Sequence, residues 1–207
     1  MNIHLYLVFK MRTRDGNKEK LIRQKALEMI VQHGFEGLSM QKLAKKANVS
    51  PATIYIYFRH KEDLIVQLAV EVSNKMMAAT IKNFQPQMHF KEGLKIQWQN
   101  RAKYCMKYPL DMKFLEQVRH SPFDAKVAKL TEKKFIEMMG IFVSTAIKRK
   151  ELQPVPIEVL WAIAFAPLYV MVEFHMNKIA FKPGKKFVLN SRMMNLALEK
   201  VVKALRP

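Results

Sequence analysis

Cysteine is almost missing from this chain of 207 residues: Cys105 stands alone, so no disulfide can form within one chain. That fits a reducing compartment and removes the chain from the disulfide-stapled secreted class. Cys105 itself reads as a small buried apolar residue rather than a redox sensor. Acidic side chains are also scarce, 17 against 36 Lys and Arg, for a formal charge of +19. Such an excess favours a polyanionic partner, nucleic acid or an anionic membrane surface, over a merely solvated basic surface. It does not locate a site, because residues 1–66 hold 12 basic and 6 acidic side chains and the rest holds 24 and 11. With six glycines there is no Gly-rich phosphate loop, and the six His and one Cys show no metal-ligand spacing. Neither a cofactor nor a metal is therefore expected. Long hydrophobic runs are lacking too. Val159–Val172 is the longest, 14 residues with Pro167 inside it, short of the ~20 needed to cross a bilayer. The opening MNIHLYLVFK has too short an apolar stretch for a secretory signal, no basic segment before it and no small-residue cleavage site after it. Met11 offers an alternative start, and residues 1–17 read as an N-terminal extension, partly disordered. The expectation is a soluble cytoplasmic protein without a membrane partner.

What is present is helical periodicity. Half the residues are hydrophobic, no segment alternates as a strand would, and there is no internal repeat or low-complexity stretch. The pattern predicts an all-α fold of about nine helices, at Lys18–His33, Met40–Ala47, Pro51–Phe58, His60–Phe84, Phe90–Tyr108, Leu110–Arg119, Phe123–Arg149, Ile157–Asn177 and Leu189–Leu205. Gly34 ends the first by taking a left-handed conformation. Ser39 caps the second, and Asn48, which tolerates positive φ, ends it. Ser50 caps the third, with Pro51 at its first position, where a missing N–H matters little. Glu62 and Asp63 complement the dipole at the start of the fourth. Gly140 and Pro167 read as breaks that make room for a ligand or mark bends.

Two helices of about eight residues joined by a three-residue turn, over Ser39–Phe58, have the spacing of a helix-turn-helix. Ile22, Ala26 and Ile30 would complete its core with Leu43, Ala44, Val49, Ile54 and Phe58. The third helix is then free to enter the major groove. The run GFEGLSMQKLAKKANVSPATIYIYFRHKEDL resembles the DNA-binding domain of TetR/AcrR-type regulators. Gly34-Phe35, Ser39, Leu43-Ala44, Ala47, Val49-Ser50, Thr53, Ile54-Tyr55, Phe58, Lys61 and Leu64 carry the likeness. Asn48 departs from the usual Gly, and Tyr57 from a frequent His. The resemblance implies a DNA-binding domain at 18–65 and an effector-binding and dimerisation domain at 66–207. It implies phosphate contacts from Ser39, Tyr55, Tyr57 and Lys61, and from Thr53, which can also reach a base edge. Ser50, Pro51 and Ala52 would read bases, with Ile56 against a thymine methyl and Gln41 adding a base-edge or phosphate contact. Arg12, Arg14 and Lys18 would enter the minor groove or track phosphates, unless the tail is simply disordered.

The second domain is rich in Met and Phe, which pack cores and also line adaptable pockets. Candidate ligand contacts are Trp98, Met106, Phe114, Met138, Phe142 and Tyr169, with Glu173 as a buried acid for a cationic ligand or a neighbouring base. The last two helices are the candidate dimer interface, as in the resembled family. Trp161, Phe165 and Leu168 form one stripe; Met194, Leu198, Val201 and Leu205 form the other. Each stripe can face a partner or the chain's own core. The function expected is a dimeric regulator that binds a palindromic operator on double-stranded DNA, a repressor released by a small, largely apolar effector. Two other classes are weighed: a non-specific architectural DNA-binding protein, which the charge alone suggests, and an all-helical enzyme.

Overall fold

The computed structural model describes residues 15–131 and 133–207; Met11, Arg12 and Arg14 lie outside them. Among the described residues there are eleven helical segments and no strand: α1 (Gly16–Gly37), α2 (Met40–Lys46), α3 (Pro51–Tyr57), α4 (Lys61–Thr80), α5 (Phe90–Lys107), α6 (Pro109–Arg119), α7 (Asp124–Leu130), α8 (Lys133–Lys148), α9 (Ile157–Ala164), α10 (Ala166–Met176) and α11 (Ser191–Leu205). The all-α expectation holds. The two additional segments come from interruptions inside expected helices, one near Thr131 and one at Phe165, just before Pro167. Pro167 cannot donate a backbone hydrogen bond and crowds the preceding turn, which breaks the apolar stretch there. Gly140, by contrast, sits within α8 without a break.

The chain forms two compact units. The first takes residues up to Glu71 together with Lys113–Lys129; the second takes Val72–Met112 and Leu130–Pro207. The partition falls between Glu71 and Val72, a few residues beyond 65 within α4, and Lys113–Lys129 join the N-terminal unit. Within that unit Phe123 meets Phe35 edge-on at 5.3 Å, and the Gln117 amide donates to the Val31 carbonyl at 3.4 Å. Its centre is Ile22, Ala26, Ile30, Leu43, Ala44, Ile54 and Phe58, all buried. Gly34 ends the regular part of α1 at φ 69°, a conformation open to glycine at no steric penalty.

In the second unit α5 runs through the core. Phe90, Leu94, Trp98, Ala102 and Cys105 are buried with Phe142, Phe165, Leu168, Leu198, Val201 and Leu205. Gly93 allows Phe142 to lie against the α5 backbone: a Cβ there would fall 2.5 Å from Phe142 Cε2 and 3.0 Å from Phe84 Cε2. Burial pushes the Cys105 thiol up to about 11, which keeps it protonated and inert at neutral pH. α9 and α10 together span Ile157–Met176, 20 residues of mean hydropathy 1.7, long and apolar enough to cross a membrane by those two criteria. Their Leu160, Ala164, Leu168 and Val172 face is buried in the unit's own core.

α5 lacks a local cap at His89. Glu151, distant in sequence, supplies one, accepting from the Phe90 N–H at 2.7 Å and pairing with His89 Nδ1 at 2.6 Å. Burial alone would raise the Glu151 carboxyl; these two bonds outweigh it and hold it below its ordinary value of 4.5. A carboxyl whose pKa is depressed on folding stabilises above its unfolded value and loses that contribution as pH falls through the folded one. Glu151→Gln should therefore remove about 1 kcal/mol at pH 7, roughly 2–4 °C in Tm. In melting curves across pH, the gap to the parent protein should close as pH drops below 4.5.

Candidate functional site

The N-terminal unit presents α3 through local chemistry. Ser39 accepts from the Lys42 N–H at 3.2 Å and so opens α2. Asn48 takes φ 53° and turns the chain; the Val49 N–H returns to the Ala44 carbonyl at 3.0 Å. Ser50 accepts from the Thr53 N–H at 3.2 Å and opens α3 with Pro51 in its first turn. Ile54, Tyr57 and Phe58 face the core, while Pro51, Ala52 and Tyr55 are exposed, Tyr55 at 54%. Ser50 and Gln41 are also exposed; Ser39, Thr53 and Ile56 are half-buried. The Ser50 and Thr53 hydroxyls share a 2.8 Å hydrogen bond, leaving lone pairs and backbone edges for a partner. Lys61 Nζ lies 3.8 Å from the fully exposed Glu36 carboxylate, a weak surface pairing that a phosphate can displace. Lys61 itself is half-buried, whereas Lys18 is exposed, 3.6 Å from Asp15.

Tyr57 corrects the expectation of an outward phenol. It is 8% exposed, because its position three residues after Ile54 puts it on the buried stripe. Its hydroxyl donates to the Asp15 carbonyl at 3.1 Å and accepts from the Asp15 N–H at 2.9 Å. Asp15 in turn caps α1, accepting from the Asn17 and Lys18 N–H groups. Tyr57 thus anchors the start of α1 to α3 and has no O–H proton left to donate to a phosphate.

In the second unit Trp98 and Phe142 are core, with Met106, Met138 and Tyr169 half-buried against it. Phe114 is buried in the first unit and does not belong to this cluster. Glu173 is exposed, not buried; Leu168 and Val172 set the inward face of α10, and Glu173 lies off it. Five of the seven candidate dimer residues also turn inward. Phe165, Leu168, Leu198, Val201 and Leu205 are buried in the unit's own core, where they cover α5 and one another. Trp161 remains exposed and Met194 half-buried. The apolar side chains left exposed on α9–α11 are instead Ile157, Val159, Val170, Met176, Met193 and Leu196, together with Trp161.

Two residues escaped the sequence reading. Gln97 and Arg101, one turn apart on α5, are 0% and 3% exposed. Among the described residues the buried side-chain nitrogens and oxygens without a hydrogen-bond partner are both amide atoms of Gln97 and Nε of Arg101. Each such group costs about 1–3 kcal/mol. Taking a guanidinium out of water costs several kcal/mol more. Ring faces at 4.5 Å (Phe165), 5.3 Å (Trp161) and 5.9 Å (Phe135) offset part of that. The signal was there: two polar residues at i and i+4 interrupt the apolar face of an amphipathic helix.

The chain matches the family model for bacterial regulatory proteins of the tetR family over residues 22–68. An uncharacterised helix-turn-helix transcriptional regulator of Haemophilus influenzae is 35% identical over 94 residues, 45% of this chain and 50% of that protein; the chain thus spans half of that relative's length. A fatty acid metabolism regulator of Bacillus subtilis is 32% identical over 69 residues, 33% of this chain and 36% of that protein. In structure, a TetR-family transcription regulator of Marinobacter aquaeolei is similar with a TM-score of 0.79 at 26% identity, over 95% of this chain and 99% of that one.

The two tyrosines of α3 should separate by experiment. Tyr57→Phe should lower stability by about 1 kcal/mol through loss of the Asp15 tether. Tyr55→Phe should leave Tm unchanged and weaken DNA binding about two- to tenfold. Thermal melts and fluorescence anisotropy on duplex DNA check both.

Proposed function

We propose that the chain, which matches the tetR family model over residues 22–68 and is similar in fold to a TetR-family regulator, binds a palindromic DNA operator as a homodimer and regulates transcription in the cytoplasm, as a repressor released by a small effector. The observation that carries this is the outward face of α3, with Pro51, Ala52 and Tyr55 exposed and two serine-capped helices fixed on one core. Half-sites would lie about one turn apart, ~34 Å. Lys61 serves as a phosphate contact; Ser50, Pro51 and Ala52 serve as base readers, with Ser39, Gln41, Thr53 and Tyr55 positioning the backbone. Effector binding in the second unit would favour one of two conformations that differ in operator affinity. The Bacillus regulator of fatty acid metabolism is matched over too little of this chain for its cue to be carried across.

The dimer would use the apolar side chains exposed on α9–α11. Exposed apolar surface of this kind is a usual mark of an interface. Leu196→Glu combined with Val170→Glu should convert a dimer to a monomer in sedimentation without loss of helical circular dichroism, and should abolish operator binding.

Operators selected from a random duplex pool with the full chain should be footprinted as discrete palindromes. Uniform protection would favour the architectural reading that the charge of +19 suggests. On the selected operator, Lys61→Ala should flatten the salt slope by about one unit per site. An unchanged slope would remove Lys61 from the interface.

A further inference from the structure

We propose that Arg101 and Gln97 form the anion-binding end of a site in the second unit that takes an amphipathic organic acid, a carboxylate carried on an apolar body. The proposal rests on the ligand-responsive reading above and gives that ligand a chemical class. Buried polar groups nearby are satisfied. The Trp98 indole donates to the Ala164 carbonyl at 2.7 Å. The buried Asp111 accepts from Tyr104 Oη at 2.7 Å and from Lys75 Nζ at 2.8 Å. The Asn100 amide donates to the Thr80 and Lys82 carbonyls. Against that background Gln97 and Arg101 stand out, adjacent in position and unsatisfied at three atoms.

The chemistry of the gap defines its complement. Arg101 is a permanent cation, and no carboxylate among the described residues lies within ion-pair distance of it. One edge of the guanidinium is used, Nη1 donating to Tyr169 Oη at 2.7 Å. The Nε–H is buried and has no hydrogen-bond partner. The Nε edge matches the fork of a carboxylate, which accepts two parallel N–H bonds. The Gln97 amide, one turn away, can donate a further N–H. The surrounding faces are apolar rings: Phe165, Trp161 and Phe135 lie around the guanidinium. They offer contact to a hydrocarbon or aromatic body and no negative charge. A cationic ligand would meet the guanidinium unscreened, and a neutral one would leave it unpaired. An acid with an apolar body meets both requirements.

Trp98 and Trp161 are the chain's two tryptophans. One neighbours Gln97 on α5, and the other stacks near Arg101, so intrinsic fluorescence reports directly on this site. The full chain is titrated with decanoate, decanol and decyltrimethylammonium, which share a tail and differ in head-group charge. Decanoate should give a saturable change at least about tenfold tighter than decanol, and the ammonium compound none. Arg101→Met should weaken decanoate at least about tenfold and leave decanol unmoved. Gln97→Met should weaken decanoate while raising Tm, because it removes the unsatisfied amide; this variant keeps the test open if Arg101→Met does not fold. Equal affinity for acid and alcohol, no saturable response to decanoate, or unchanged decanoate binding in either variant overturns the proposal. Operator binding measured on the same samples separates the two readings. DNA bound with decanoate ignored leaves the regulator standing and removes this site. Decanoate bound with DNA ignored does the reverse.

Discussion

A helix of seven residues does not persist on its own, because the first turn fixes several dihedrals for a single hydrogen bond. Both α2 and α3 are that short. Their existence therefore depends on burying Leu43, Ala44, Ile54 and Phe58 against Ile22, Ala26 and Ile30 of α1. The hydrogen-bonded caps at Ser39 and Ser50 add stability at the ends, and the positive φ of Asn48 aims one helix relative to the next. Because the inward stripe of α3 is fully committed, its opposite face is fixed too. Tyr55 is exposed for the same reason that Ile54 is buried. The outward face of α3 is a by-product of the core.

Tyr57 extends that dependence. Its hydroxyl joins the Asp15 backbone at both N–H and carbonyl, so the start of α1 is held by α3 itself. Arg23 reinforces the same end of the unit, pairing with Glu19 at 2.7 Å and with Glu71 at 3.2 Å, its guanidinium 4.9 Å from the Phe58 ring centroid. These are partly buried contacts among groups that also pack, which makes them less sensitive to salt than the longer pairing of Lys61 with the fully exposed Glu36.

The second unit follows a different rule. Its core is closed by residues that could have served a partner: Leu198, Val201 and Leu205 on α11 and Leu168 on α10 cover α5. What remains exposed on α9–α11 is a second apolar set, which the unit's own core does not use. Within the core, Asp111 and the Trp98 indole are matched, whereas Gln97 and the Nε edge of Arg101 are not. A fold that satisfies most of its buried polar groups and leaves two adjacent ones open is biased toward a ligand that closes the deficit.

Much of this was legible in the sequence where the cause is local. Ser39, Gly34, Asn48, Ser50 and Pro51 act within a few residues of themselves, so their caps and turns follow from residue type and spacing. The stripe Ile22, Ala26 and Ile30 is a matter of period. Tyr57 was legible in principle, three residues from Ile54, yet its hydroxyl partner lies 42 positions away at Asp15, and no spacing rule reaches that far. Glu173, Phe114 and the inward stripes of α10 and α11 needed the packing, since an apolar stripe looks the same whether it covers its own core or a partner. The same holds for Arg101. Its position on α5 was visible, but whether the helix face around it would be buried, and whether a carboxylate would meet it there, depends on which other helices close over α5. The sequence by itself determined the helical character, the caps and turns at Gly34, Ser39, Asn48, Ser50 and Pro51, and the outward placing of Tyr55, because those are set by neighbours along the chain. The tertiary structure alone decided which apolar faces are consumed and which polar groups are left without partners, because burial depends on what arrives from elsewhere in the chain.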